Sequence, residues 1–130
     1  MCCVMVRITG LDPALPGFYP SLLGPPLTRD AAMFVDAVHT DSGQYGAAES
    51  VGHADYWPNG GRAKQPGCMP FTIYFTAEDF CSHWRSWTFW AESVVGGRFP
   101  ARRCDSYDTF LRGGCRHNET ADMGLLANTR

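Results

Sequence analysis

Within the stretch CSHWRSWTFW, residues 81 to 90, lies a histidine that could take part in acid–base chemistry. The tryptophans that follow it recur at helical spacing, which places His83 in the first turn of a predicted helix. At a helix N-terminus the macrodipole disfavours a positively charged imidazolium, so we expect a neutral ring that can accept a proton as a general base. The alternative is that His83 is a surface or satisfied core histidine with no chemical role.

A histidine that acts as a general base needs a carboxylate on its other ring nitrogen, and Asp12 is a candidate. Residues 3 to 11, CVMVRITGL, place Val4, Val6 and Ile8 on alternate positions and predict a strand that ends before Pro13. Asp12 then lies at the carboxyl end of a strand, where open α/β sheets place their sites. Other acidic residues could pair with His83 equally well on spacing alone.

The remaining segments predict an α/β layout. Proline-rich residues 13 to 27 indicate an irregular connection, and residues from Phe99 onward are also predicted to be irregular. The helix should begin with Ser82 as its cap, end at Gly96-Gly97 and bury the face that carries Trp84 and Trp87. The other predicted elements are a short helical turn from Thr28 to Met33, a strand over residues 34 to 39 and an extended segment over residues 52 to 61 that ends in a turn.

Composition limits the class of protein. The net charge of −2 provides no basic surface for nucleic acid, and no segment is long and apolar enough for a transmembrane helix. Six cysteines in 130 residues, together with the acceptor triplet that begins at Asn118, indicate an oxidising compartment and a glycoprotein. Because MCCVMVR cannot serve as a secretory signal, we expect the natural protein to begin upstream.

Five segments, in this order, resemble the pancreatic-lipase-related family of secreted esterases. They are ITGLDPALPGFY, FVDAVHTD, GHADYWPNGG, QPGC and CSHWRSW. The resemblance runs from about Ile8 to Gly124 and implies that residues 1–130 are the C-terminal portion of a single lipase domain, a partial α/β-hydrolase fold without a separate second domain. It also implies a carboxylic ester hydrolase of lipid catabolism, in which Asp12 and His83 belong to a Ser-Asp-His triad.

The same resemblance assigns the cysteines. It pairs Cys68 with Cys81 at the base of the family's lid and Cys104 with Cys115 farther along, whereas Cys2 and Cys3 have no counterpart. Free buried thiols are the alternative. The segment between the first pair is short and resembles the lids of arthropod-type and sn-1 phospholipase members, which favours phospholipid or small esters as substrates at a lipid–water interface. The apolar residues of this segment could contact lipid or pack inward; they are Met69, Phe71, Ile73, Tyr74, Phe75 and Phe80.

The family's nucleophile has no counterpart here, because no serine lies in a G-x-S-x-G elbow between a strand and a helix. We therefore expect this chain, as an isolated fragment, to be inactive. The family's calcium site is also not preserved, since Asp30 alone cannot supply six to eight oxygen ligands, and no cofactor is implied.

Two other hypotheses remain open. One is a non-catalytic lipid-binding or storage-type relative of the lipase fold, since some relatives keep the fold and lose the serine. The other is a metal site built from the pairs His39-x-Asp41 and His53-x-Asp55. Head-group preference and protein partners are not encoded in any pattern that we can identify.

Overall fold

The computed structural model describes residues 5–127. Its strands are β1 (Arg7–Leu11), β2 (Phe34–Val38), β3 (Ala54–Tyr56), β4 (Phe99–Arg102) and β5 (Thr120–Met123). Its helices are α1 (Cys81–Val94) and α2 (Tyr107–Leu111), with 3₁₀ turns at Arg29–Ala31 and Pro58–Gly60. None of the helices within residues 5–127 combines the length and apolarity needed to cross a bilayer.

A three-stranded parallel sheet forms the centre of the molecule, in the order β1-β2-β3. Every residue of β2 is buried, and its sequence FVDAV is apolar on both faces except for Asp36. This pattern is typical of a central parallel strand that is covered on both sides. Because all three strands run the same way, the residues that follow β1 and β2 meet at one edge of the sheet.

β1 is shorter than the predicted strand. Residues 3 and 4 lie outside the described part of the chain, and Val6 is 73% exposed, whereas Ile8 is partly buried. The backbone still pairs there, since Phe34 N donates to the carbonyl of Val6 (3.1 Å). The alternation failed as a burial pattern because β1 is the edge strand of the described sheet and has a neighbour on one side only.

Helix α1 buries a different face from the one that its tryptophans predict. Its fully buried residues are Ser82, Ser86 and Ser93, whereas Trp84 and Trp87 are 46% and 54% exposed. Small serines allow the helix to approach neighbouring backbone closely, and their hydroxyls are satisfied: Ser86 Oγ donates to the carbonyl of His83 (2.8 Å). The prediction that the tryptophan face forms core is wrong within the described residues.

The region after α1 is more regular than predicted. β4 and β5 form an antiparallel pair, and α2 lies between them in sequence. Ser106 caps α2 by accepting a hydrogen bond from Thr109 N (3.1 Å). Short elements of four or five residues carry too little periodicity to be recognised in a sequence.

A small apolar core joins the two sheets. Val38 of β2 and Tyr56 of β3 pack with Met123 of β5, and Phe89 of α1 and Phe99 of β4 cover them. The sheet edge that carries Asp12 is thereby fixed to the helix that carries His83.

Candidate active site

Asp12 follows β1 directly and is 1% exposed. Its backbone has φ +50°, a left-handed conformation that Asp tolerates better than most residues, and its N–H donates to the carbonyl of Val38 (2.8 Å). The turn brings the carboxylate back over the carboxyl end of the sheet, which is where the strand pattern places it.

The two oxygens of Asp12 have different partners. Oδ1 accepts the backbone N–H groups of Thr40 (2.8 Å) and Asp41 (3.1 Å), which follow β2, and Oδ2 accepts the Nδ1–H of His83 (2.7 Å). Three donors on one buried carboxylate fix its position. The structure therefore brings together the two residues that the sequence singles out.

His83 is the third residue of α1, and its side chain is 25% exposed. With Nδ1–H on Asp12, the neutral ring carries its lone pair on Nε2, and no group in residues 5–127 hydrogen bonds to that atom. The hydrogen bond to Asp12 raises the pKa of His83 above its ordinary value, although burial opposes this. The Asp12 carboxylate therefore acts on the ring in the opposite direction to the helix N-terminus, which disfavours the charged form.

Two contacts outside the pair hold the start of α1. The Cys68–Cys81 disulfide (Cα–Cα 5.7 Å) joins its first residue to the preceding loop, and Ser82 Oγ accepts the backbone N–H of Gln65 (3.0 Å). Ser82 is therefore not the helix cap, which is Phe80. The hydroxyl instead ties the helix to a buried loop residue.

Gly46 provides the space for the Asp12 carboxylate. A Cβ at this position would lie 2.3 Å from Asp12 Oδ1 and 2.5 Å from Oδ2, closer than heavy atoms can approach. Its N–H donates to the carbonyl of Asp41 (2.9 Å), so the turn that holds Gly46 also supports the amides that bind Asp12. The sequence contains no signal for this role other than a glycine in a turn.

Asp79 joins the loop before α1 to the site. It is 3% exposed and accepts hydrogen bonds from Tyr45 Oη, Thr72 Oγ1 (2.8 Å) and Phe75 N (3.1 Å). The hydrogen bond from Tyr45 lowers the pKa of Asp79, which keeps the carboxylate charged. The ring of Tyr45 lies 6.2 Å from that of His83, so this network reaches the Asp12–His83 pair.

We call residues 69–80 the lid loop. It includes all six apolar residues that the sequence singles out between Cys68 and Cys81, and five of them point to solvent. Phe80 is half-buried and stacks on Tyr45 (4.3 Å between ring centroids) and Trp84 (5.9 Å). The exposed fractions are 59% for Met69, 89% for Phe71, 77% for Ile73, 75% for Tyr74 and 79% for Phe75. The alternative that this segment packs inward does not describe these five residues.

The two H-x-D pairs meet at a single hydrogen bond. His39 Nε2 is bound to Asp55 (2.7 Å) and its ring stacks on Trp57 (3.9 Å), while His53 Nδ1 accepts the N–H of Val35 (3.0 Å). Residues 5–127 contain no group of three or more His, Cys, Asp or Glu side chains placed to hold a metal ion. Asp30 is exposed in a 3₁₀ turn.

The second disulfide joins Cys104 and Cys115 (Cα–Cα 5.6 Å), so the prediction of two disulfide bonds is confirmed. Cys2 and Cys3 lie outside the described residues. Asn118 is exposed, and its side-chain amide donates to the carbonyl of Arg103 (3.0 Å). Its glycosylation remains a prediction.

Sequence reasoning did not identify the residues that support the pair. These are Thr40 and Asp41 through their amides, Gly46 through its missing side chain, and Tyr45 with Asp79 through their hydrogen bonds. The segment HTD could have indicated Thr40 and Asp41, because it follows a strand that neighbours the one before Asp12. The others depend on contacts between segments 30 or more residues apart, which no local pattern encodes.

A parallel sheet with a helix packed at its carboxyl edge is consistent with a portion of an α/β-hydrolase. The family model described as Lipase matches residues 3–130, so the chain belongs to the lipase family.

Curated relatives agree with this assignment. The chain is 39% identical over 127 residues to pancreatic lipase-related protein 2 of Bos taurus and 37% identical over 129 residues to pancreatic triacylglycerol lipase of Sus scrofa. It is 44% identical over 111 residues to lipase member H-B of Xenopus laevis. Each comparison covers 84% of the chain but only 27%, 28% and 24% of the relative, respectively. The chain thus spans about a quarter of the length of the curated relatives that it matches.

Proposed function

We propose that this chain supplies the Asp and the His of a Ser-Asp-His triad in a carboxylic ester hydrolase that acts on lipids. The observation that carries the proposal is the 2.7 Å hydrogen bond between Asp12 Oδ2 and His83 Nδ1, with no partner on the opposite ring nitrogen among residues 5–127. Membership of the lipase family supports the substrate class. Residues 1–130 would then be the C-terminal portion of one lipase domain.

In the proposed reaction a serine attacks the ester carbonyl and His83 Nε2 takes its proton. The proton then passes to the leaving alcohol, and His83 afterwards activates water to release the acid from the acyl-enzyme. Asp12 holds the imidazole in the tautomer with a free Nε2 and stabilises the imidazolium that forms. The reaction needs no cofactor.

None of the serine hydroxyls in residues 5–127 hydrogen bonds to the His83 ring. The nucleophilic serine must therefore come from another segment. Ser82, Ser86 and Ser93 are buried and bound to backbone groups. We therefore propose that the isolated chain is inactive and that an upstream segment carries the nucleophile and the oxyanion hole.

The proposed substrates are glycerolipids, with phospholipids or small esters favoured over bulky triacylglycerols. Support comes from the lid loop, which is short and has five exposed apolar side chains beside the site. Such a surface is suited to contact with a lipid–water interface. The two disulfide bonds are typical of an oxidising compartment, so we place the protein outside the cell, with Asn118 as its glycosylation site.

Sequencing the 5′ end of the transcript tests the source of the serine. We expect an upstream segment that contains G-x-S-x-G, and another residue in place of that serine would overturn the catalytic hypothesis.

The competing hypothesis is a non-catalytic lipid-binding protein. Two observations favour it: the exposed apolar lid loop, and a His83 ring that has no serine beside it among the described residues.

A chimera tests the roles of the two residues directly. The part of bovine pancreatic lipase-related protein 2 that precedes the matching region is joined to this chain, and hydrolysis of a short acyl ester and of phospholipid vesicles is measured. We expect activity that Asp12→Asn reduces by about 10⁴-fold and His83→Ala by at least as much. Vesicle binding without hydrolysis by a folded chimera would instead support the lipid-binding hypothesis.

Matched controls exist in the same chain. His117→Ala removes an exposed histidine and Asp105→Asn neutralises an exposed carboxylate, both outside the site. Neither should change turnover. An active chimera that retains full activity with His83→Ala would show that the assigned base is wrong.

A further inference from the structure

Asp41 is a buried carboxylate that the proposed mechanism does not use. It is the third residue after β2, which ends at Val38, and its exposure is 0%. Both of its side-chain oxygens lack a hydrogen-bond donor among residues 5–127. Burying an ionised carboxylate without hydrogen-bond donors costs free energy, so we expect a functional reason for its presence.

The position of Asp41 links it to the catalytic pair. Its backbone N–H binds Asp12 Oδ1 (3.1 Å), so the two carboxylates share one turn at the sheet edge. Four groups exert charge on its side chain. They are Asp12 after β1, His83 on α1, Asp79 on the lid loop and Lys64 on the loop before it. Of these, only His83 has an ordinary pKa near neutrality.

Lys64 and Asp79 already have other partners. Lys64 Nζ donates to Thr72 Oγ1 (2.9 Å), and Asp79 is held by Tyr45, Thr72 and Phe75. The carboxylate of Asp41 is therefore not compensated by an ion pair of its own. Its charge acts on His83, whose ring is hydrogen-bonded to the neighbouring Asp12.

We propose that Asp41 is a positioning residue that acts through His83: its buried negative charge, placed beside Asp12, strengthens His83 as a base. The catalytic meaning of this role rests on the proposed function, but the coupling itself does not. Burial and the neighbouring Asp12 raise the pKa of Asp41 to about 6, so its charge develops just below neutral pH. Once charged, Asp41 adds to the effect of Asp12 in raising the pKa of His83.

NMR titration of the histidine rings tests this without substrate. The full chain and its Asp41→Asn variant are titrated between about pH 4 and pH 9, with Asp105→Asn as the exposed control. We expect the midpoint of His83 to fall by about 0.5 to 1 pH unit in Asp41→Asn and to stay unchanged in the control. An unchanged midpoint in a folded Asp41→Asn variant would overturn the proposal, because a purely structural role would be served by the amide as well.

A second measurement covers the case in which Asp41→Asn does not fold. In the unsubstituted chain, the ¹³C shift of the Asp41 carboxyl reports its own ionisation. We expect the His83 curve to show a second, smaller inflection at that same pH. A single-step His83 curve would reject the coupling. A coupled titration in a chain whose active chimera is unaffected by His83→Ala would uphold the coupling and reject only the catalytic hypothesis.

Discussion

At the scale of single residues, three features fix the carboxylate of Asp12. Backbone amides after β2 and the ring of His83 on α1 donate hydrogen bonds to it, and Gly46 leaves the space that it occupies. The hydrogen bonds attract the carboxylate, whereas Gly46 contributes only because it has no side chain. All three are required, because a carboxylate can orient an imidazole only when its own position is fixed.

Gly46→Ala should therefore disturb the pair without touching either catalytic candidate. The added methyl group would overlap Asp12 Oδ1, and we expect a loss of about 1 to 3 kcal/mol in unfolding free energy together with a weakened Asp12–His83 hydrogen bond. Thermal unfolding and the NMR signal of the His83 Nδ1 proton measure the two effects. Gly24→Ala is the matched control, because its Cβ would meet only Phe18 Cε1 at 3.7 Å. Equal behaviour of the two variants would contradict this account.

Asp41 should leave its own signature in the pH dependence of stability. Its folded pKa of about 6 lies above the ordinary 3.8, so between these values the folded chain binds more protons than the unfolded chain and stability falls as pH rises. The difference corresponds to about 3 kcal/mol. Denaturant unfolding of the chain and of Asp41→Asn should thus diverge from about pH 4 to pH 6. Parallel curves in that window would mean that Asp41 is not perturbed.

At the scale of elements, the sequence predicts the strands and the helix that local patterns encode. It does not predict the features that depend on contacts between distant segments of the chain. The strand before Asp12, the strand over residues 34 to 38 and the helix with His83 near its start are visible as hydrophobic patterns. The sequence pattern does not show which face of α1 is buried, because the face that carries the serines packs inward only where another segment of the chain lies close to it. The elements from Phe99 onward are predicted to be irregular because they are too short to show a period.

The Cys68–Cys81 disulfide closes the lid loop at the first residue of α1. Replacing both cysteines by serine should cost about 3 kcal/mol, because the unfolded chain regains the entropy of a loop of this length. The paired control is Cys104→Ser with Cys115→Ser, which opens a loop of similar size outside the lid loop. Both variants should lose similar stability, but only the first should make the lid loop more sensitive to limited proteolysis. Increased cleavage there in both would show that the effect is global.

At the scale of the whole molecule, one arginine joins the sheet to the C-terminal segment. Arg7 forms a double hydrogen bond with buried Asp36 (2.9 and 3.0 Å) and donates to the carbonyls of Gly124 (2.8 Å) and Leu125 (2.9 Å). Its guanidinium also lies 5.6 Å from the ring centroid of Trp90 on α1. One side chain thus contacts β2, α1 and the segment after β5.

Arg7→Met should destabilise the chain by about 3 to 5 kcal/mol, because it leaves Asp36 buried without its ion pair. Thr9 Oγ1 alone would then donate to that carboxylate. Arg98→Met removes an exposed ion pair with Asp122 and should have a far smaller effect on the midpoint of chemical denaturation. A comparable loss in the two variants would show that burial of the pair is not what matters.

The outward-facing tryptophans of α1 give the chain a built-in optical reporter. Trp84 and Trp87 are about half exposed, and both stand near the lid loop. An indole in water emits at longer wavelength than one in an apolar environment, so anything that covers this helix face shifts the emission to the blue. Phospholipid vesicles can be added to the folded chain while the emission is recorded. Trp84 and Trp87, which do not form core, would then report by their fluorescence when the surface beside His83 is covered.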